Sequence, residues 1–148
     1  MPSSASLLSL AHLIGLALAV GSATVKLSLL VRSKRDHAFL PVFVAADKPI
    51  TRLIVLGLIL LTLSGVGWLL LGYSLTPRLV VKLALVGAIW VLGPVIDNVV
   101  RPRFEKEAPA RGQSASPGFV RIIERRYLAL EAIATGLFYV IIVMWIVS

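Results

Sequence analysis

The sequence predicts an all-α polytopic membrane protein, folded as a bundle of four membrane-spanning helices. Hydrophobic residues form 58% of the chain, and the mean hydropathy is +0.94. This hydrophobic share is above that of soluble domains. Four long apolar runs carry few charges, and Lys and Arg gather beside their ends. Runs of about 20 apolar residues are typical of membrane-spanning helices, so we expect residues 1–148 to form a single membrane domain.

The first predicted span covers residues 7–31. At about 1.5 Å per residue it is longer than a hydrocarbon core of about 30 Å, and it is too long for the apolar part of a signal peptide. The leader before it contains no Lys or Arg, so we expect a retained helix. Small residues recur every three or four positions along one face, which lets a neighbouring helix approach closely. These residues are Ala11, Gly15, Ala19 and Ser22.

The second predicted span covers residues 50–72. Trp68 and Tyr73 near its end are expected to anchor it at the membrane interface. A short apolar stretch, at 38–46, precedes this span. We expect that stretch to lie at the interface or to pack on the bundle.

The third predicted span covers residues 78–96, and local signals mark both of its ends. Thr76 is a suitable N-cap residue, and Pro77 suits the first helical position. Pro94 predicts a kink or a loosened turn near the end, because proline has no N–H to donate to the helix. The fourth predicted span covers residues 127–147.

The basic residues of the loops predict the orientation of the bundle. The first and third loops are rich in Lys and Arg, whereas the connection between the second and third spans contains only Arg78. Because basic loops stay in the cytoplasm, both termini are expected on the non-cytoplasmic side. Residues 105–118 of the third loop are rich in Ala, Pro, Gly, Ser and charge, so we expect a mobile cytoplasmic loop there.

The net charge of +8 comes largely from these basic residues of the loops. Basic loops favour anionic lipid head groups, and the chain lacks a basic groove with interleaved aromatic residues. We therefore expect the lipid bilayer as a partner and no nucleic acid. The absence of cysteine excludes disulfides, thiolate metal sites and cysteine nucleophiles.

Depth along the spans groups three side chains near the outer face. His12 and Lys82 both lie about 7–8 Å below the outer boundary, and the outward-running fourth span brings Met144 to roughly the same level. This cluster could hold a ligand or carry protons. Each residue also has a simpler role: the histidine can hydrogen-bond a neighbouring helix, the lysine can extend to the head groups, and the methionine can pack.

Depth also pairs Lys26 with Glu131 near the inner face, with Asp97 closing the third span nearby. An unpaired charge in the bilayer costs about 2.5–3.5 kcal/mol, so we predict an intramembrane ion pair. Two interpretations of this pair stay open. It can hold the helices together, or it can be part of a proton path.

The inventory of metal-binding side chains is small. Two histidines without cysteine argue against a transition-metal site built from protein ligands alone. A haem needs one or two axial side chains and an apolar slot, so it is the cofactor that this sequence can hold. The sequence contains no Gly-rich phosphate loop, no His-Glu-x-x-His pair and no nucleophile elbow.

Five short motifs are spread over most of the chain. They are AHLIG at 11–15, TLSGVGWL at 62–69, VKLALV at 81–86, RPR at 101–103 and LE at 130–131. Together with the four-span layout, these motifs resemble the bacterial CopD-like membrane superfamily, which includes the HemJ-type protoporphyrinogen oxidases and several other four-helix membrane families. The sequence departs from the oxidase branch at 20–25 and 97–98, so the resemblance points to a sister branch.

The resemblance implies functional residues and a cofactor. In the oxidase branch the histidine of the first span is associated with b-type haem, and the lysine of the third span is required for activity. These residues map onto His12, as a ligand of haem iron, and Lys82, as a catalytic residue. Met144 is a further cofactor-binding candidate because of its depth. The resemblance also implies a bacterial inner membrane and redox chemistry on a porphyrin, with electrons passed to a quinone or a partner protein.

Two other classes of function remain open. The protein can be a non-catalytic membrane subunit or assembly factor of a larger complex, in which both polar clusters serve assembly; the sequence also allows a homo-oligomer. It can instead be a small transporter or a copper-handling protein, although the shortage of His, Met and Cys argues against metal transport.

Overall fold

Four long helices form the structure, a computed structural model that describes residues 3–102 and 117–147. The helices are α1 (Ser4–Arg35), α2 (Leu40–Leu70), α3 (Pro77–Val95) and α4 (Pro117–Ile146). Each contains a segment long and apolar enough to cross a membrane, and the described ranges contain no strand. The predicted fold class, an all-α protein with four membrane-spanning helices, is confirmed.

Two short helical segments accompany the long helices. A 3-10 turn at His37–Phe39 joins α1 to α2, and a π-helical segment at Ile96–Val100 continues α3. This π-helical segment is the loosened turn predicted near Pro94, whose missing N–H weakens the helix there. Thr76 caps α3 as predicted, because its hydroxyl accepts a hydrogen bond of 3.3 Å from the backbone N–H of Leu79.

Helix α2 begins at Leu40, well before the start predicted from the apolar run. Pro49 lies inside the helix and does not end it, although it removes one backbone donor. The helix continues because Phe43 and Asp47, one turn apart, both point into the bundle and are each only 2% exposed. The short apolar stretch that precedes the predicted span therefore packs on the bundle as the first turns of α2.

Helices α1 and α4 also extend beyond their predicted spans. Helix α1 continues to Arg35, and α4 begins at Pro117. Hydropathy marks only the part of a helix that fits the hydrocarbon core, so polar turns at either end are missed. The loop predicted at 105–118 lies outside the described residues, except for its last two positions, with which α4 begins.

Glycines bring α1 and α2 into close contact. A Cβ atom added to Gly57 would lie 2.5 Å from the backbone nitrogen of Ala19, and one added to Gly15 would lie 2.9 Å from the carbonyl oxygen of Gly57. No larger residue fits these two positions without moving a helix. The small-residue face predicted on α1 is therefore the face that meets α2, with Gly15, Ala19 and Ala23 buried along it.

Helix α1 is central, because it packs along α2 and also contacts α4, which in turn contacts α3. The middle of the bundle is an apolar core to which all four helices contribute: Ala19, Ala23, Leu58, Leu61, Ile89 and Phe138. We call the end where α1 finishes and α2 begins the basic end, since three basic residues close α1 there, and the opposite end the far end. A second apolar cluster lies toward the basic end: Leu30, Phe43, Ile96 and Tyr127.

Candidate functional site

Lys26 of α1 is the centre of a buried group of polar side chains. It is only 2% exposed, and its ammonium nitrogen lies 2.6 Å from Glu131 Oε1 of α4 and 3.2 Å from Asp47 Oδ1 of α2. A third carboxylate, Asp97, lies 3.9 Å away at the end of α3. The ammonium also donates a hydrogen bond of 3.0 Å to the hydroxyl of Thr51. One lysine thus contacts the other three long helices or their extensions.

Asp47 is the second centre of this group. Its Oδ2 atom lies 2.9 Å from Nε of Arg101, and its Oδ1 atom accepts a hydrogen bond of 3.4 Å from the hydroxyl of Tyr127. Lys26 also lies over the ring of Tyr127, 5.8 Å from the ring centre. We call these side chains the ionic network: Lys26, Asp47, Asp97, Arg101, Tyr127 and Glu131.

The helices place these residues by simple periodicity and one irregular turn. Tyr127 and Glu131 are one turn apart on α4, and their side chains share one face of it. Asp97 lies within the π-helical segment and Arg101 directly follows it. A π-helical turn holds more residues than an α-helical one, which changes the direction of the side chains that follow. After this irregular turn, the side chains of Asp97 and Arg101 both reach the ionic network inside the bundle.

The ionic network is more exposed on one side than on the other. The side chains of Lys26 and Asp47 are 3% and 2% exposed, and that of Asp97 is 26% exposed. Besides Glu131 Oε1, which pairs with Lys26, two buried oxygen atoms among the described residues have no hydrogen-bond partner: Asp97 Oδ1 and the hydroxyl of Thr135, one turn beyond Glu131 on α4. Unsatisfied oxygen atoms thus lie on Asp97, at the more exposed side of the network, and on Thr135, next to the network on α4.

The predicted pair of Lys26 and Glu131 is present, and it belongs to a larger network than predicted. Sequence reasoning missed Asp47, Arg101 and Tyr127 as members. Asp47 follows Phe43 by one helical turn, and this spacing of an apolar and an acidic residue was the available signal. It is missed because the second predicted span begins at residue 50, which leaves Asp47 outside it.

His12 makes an interhelical hydrogen bond at the far end of the bundle. Its Nδ1 atom lies 2.9 Å from the hydroxyl oxygen of Ser64 on α2. The Ser64 hydroxyl also lies within hydrogen-bond distance of two backbone carbonyls, those of Leu60 at 2.7 Å and Leu61 at 3.0 Å. A hydroxyl has one proton, so when Ser64 donates it to a carbonyl it can only accept from His12, from an Nδ1–H group. The other ring nitrogen, Nε2, then bears a free lone pair. The ring itself lies on the exposed side of α1.

Lys82 is at a similar depth. Measured along the helices from the contact of Lys26 with Asp97, both His12 and Lys82 lie roughly 20 Å toward the far end. Lys82 is half-buried, and no hydrogen bond or ion pair joins it to another described residue. Met144 lines an open cavity of about 260 Å³ with Arg78, Val143 and Val147. Arg78 precedes Lys82 by one turn of α3, and His12 is not among the described residues that line this cavity.

The environment of His12 suits an axial ligand but does not enclose a haem. Histidines that bind a metal through one nitrogen usually donate a hydrogen bond from the other, which is what Ser64 allows here. The aromatic residue Trp90 of α3 donates a hydrogen bond of 3.1 Å to Thr62 of α2, so it joins these two helices. Because His12 is exposed, a flat ring bound to it would also contact lipid or a second chain. Within the described residues, no group of three or more His, Asp or Glu side chains suits a bare metal ion.

Comparison of the chain with protein-family models, curated proteins and solved structures finds no match.

Proposed function

We propose that the protein is an integral membrane protein of a bacterial inner membrane that binds haem b or a related porphyrin near the outer leaflet. The observation that supports this most directly is the hydrogen bond between His12 Nδ1 and Ser64, because an Nδ1–H donor leaves the lone pair of Nε2 free to bind a metal ion. A histidine held in this way is oriented for axial ligation at little further entropic cost. The resemblance to CopD-like proteins supports the same residue.

Lys82 has a complementary role in this proposal. Its ammonium group lies at the depth of His12 and is paired with no described residue. A cation in the membrane gains from an anionic partner, and a porphyrin carries carboxylate side chains. Lys82 would bind a propionate or pass a proton to the ring. With both termini on the outer side, as the basic loops indicate, this position is near the outer leaflet.

A bound haem would supply one-electron chemistry, so the redox form of this proposal is an oxidoreductase that passes electrons to a quinone or a partner protein. The test is a reduced-minus-oxidised absorption spectrum of the chain purified in mild detergent and supplied with haem. We expect a Soret band and an α band. His12→Ala should abolish them, whereas Ser64→Ala should weaken binding about 10–100-fold.

His37→Ala is the matched control, because it removes the other histidine of the chain and should leave the spectrum unchanged. A spectrum without haem bands after reconstitution contradicts the proposal. So does a His12→Ala variant that binds haem as the unchanged chain does.

The second candidate is a non-catalytic membrane subunit. It is favoured by the same hydrogen bond, because the contact of His12 with Ser64 also joins α1 to α2 and needs no ligand to explain it. This candidate predicts that a larger partner co-purifies with the chain from its native membrane. It also predicts that His12→Ala lowers the stability of the bundle and leaves the assembled complex active.

A further inference from the structure

The described part of the ionic network holds more acidic than basic groups. Its acidic members are Asp47, Asp97 and Glu131, and its basic members are Lys26 and Arg101. All of these side chains lie within or next to segments that cross the membrane. An uncompensated negative charge is unfavourable in such surroundings, and adding one proton removes it.

Asp47 is the carboxylate with the most donors around it. Arg101 contacts one of its oxygen atoms, at 2.9 Å, while Lys26 and the hydroxyl of Tyr127 contact the other, at 3.2 and 3.4 Å. Two cations and one hydroxyl donor all favour the negative charge. An additional proton therefore belongs on Asp97 or Glu131, each of which has fewer donors.

Unpartnered oxygen atoms are found on Asp97 itself and on Thr135, which lies one helical turn from Glu131. Asp97 Oδ1 has no hydrogen-bond partner among the described residues. On α4, Thr135 is 3% exposed and its hydroxyl is likewise unpartnered, one turn from Glu131 on the same buried face. A hydroxyl can either donate or accept, so Thr135 can satisfy a carboxylate or a carboxylic acid.

We propose that Asp97 and Glu131 share one exchangeable proton, so that the ionic network is a buried proton-binding site. Asp97 takes the proton from hydronium at the basic end, where its side chain is 26% exposed, and water is released. Lys26 lies between the two carboxylates, 3.9 Å from Asp97 and 2.6 Å from Glu131. Its ammonium gives one proton to Glu131 and regains one from protonated Asp97 when the gap of 3.9 Å between Lys26 and Asp97 closes to hydrogen-bond distance. An O–H bond thus forms on Glu131 as that of Asp97 breaks, and the charge of Lys26 is unchanged.

Infrared spectroscopy of the purified full-length chain tests this site. A protonated carboxyl group gives a carbonyl stretch above the amide region, which an ionised carboxylate lacks. We expect this band at neutral pH, and we expect it to shift when the solvent is exchanged for deuterium oxide. Glu131→Gln or Asp97→Asn should remove the band, because each variant removes one negative charge, after which two carboxylates face two cations and no additional proton is needed.

Asp36→Asn is the matched control, since it neutralises an exposed carboxylate outside the ionic network and should leave the band intact. The proposal is overturned if the unchanged chain has no such band at neutral pH. It is also overturned if the band survives in both network variants, or if it never shifts in deuterium oxide, which would mean a trapped proton. The measurement on the unchanged chain decides the first and last outcomes even where a variant fails to fold.

Discussion

The ionic network predicts energetic coupling between Lys26 and Glu131. Their charged atoms are 2.6 Å apart, and their side chains are 3% and 6% exposed. Lys26→Leu would therefore leave Glu131 as a buried carboxylate without its lysine partner. Removing one partner of a buried ion pair costs about 3–5 kcal/mol. We expect the lower end of this range, about 3 kcal/mol, because Asp47 keeps its contact with Arg101 when the lysine is lost.

Adding Glu131→Leu to Lys26→Leu removes the stranded carboxylate. The double variant should therefore be more stable than Lys26→Leu alone, with a coupling energy of about 1–3 kcal/mol. The measurement is unfolding of the detergent-solubilised chain by a rising fraction of a denaturing detergent, followed by circular dichroism. If the losses of the two single variants simply add in the double variant, the pairing argued here is wrong.

Lys82→Leu provides the matched lysine control for this cycle. Lys82 lies in another span and has no hydrogen bond or ion pair with a described residue, so its loss should change the free energy of unfolding by less than about 1 kcal/mol. Combined with Glu131→Leu, it should give losses that add within about 0.5 kcal/mol. If Lys82→Leu destabilises the bundle as much as Lys26→Leu does, the cost comes from removing any lysine from a span and not from the network.

Two further pairs of variants test the packing and the second centre of the network by the same unfolding assay. Gly57→Ala should lower the free energy of unfolding by about 1–3 kcal/mol, because the added Cβ would lie 2.5 Å from the backbone nitrogen of Ala19. Gly65→Ala is the control: its Cβ enters open space, so the variant should be neutral or stabilising by up to about 1 kcal/mol. Equal effects of the two would contradict the close contact of α1 with α2. Asp47→Asn should cost about 3 kcal/mol or more, and the exposed Asp36→Asn less than about 0.5 kcal/mol. A harmless Asp47→Asn would show that this carboxylate does not organise the network.

The sequence was sufficient to predict the location of a residue where that location follows from counting residues along a helix. Four apolar runs predicted four spans, and counting from their ends predicted that Lys26 meets Glu131. Counting failed where the backbone departs from a regular helix. The second predicted span begins at residue 50 and so omits Asp47, and the π-helical segment that directs Arg101 leaves no periodic signal in the sequence. The partner of His12 was also beyond reach, since depth alone does not say which side of α1 faces Ser64.

The ionic network and the hydrogen bond of His12 with Ser64 both join α1 to α2. On α1, Lys26 and His12 are held against α2 by the glycine contact between them, so their distances to Asp47 and Ser64 are fixed together. Helix α3 is held less firmly, because the only residue it buries fully among its described positions is Ile89. Yet α3 carries Lys82, and its π-helical extension carries Asp97. A displacement of α3 along the bundle would change the separation of Asp97 from Lys26 and that of Lys82 from His12 in the same step.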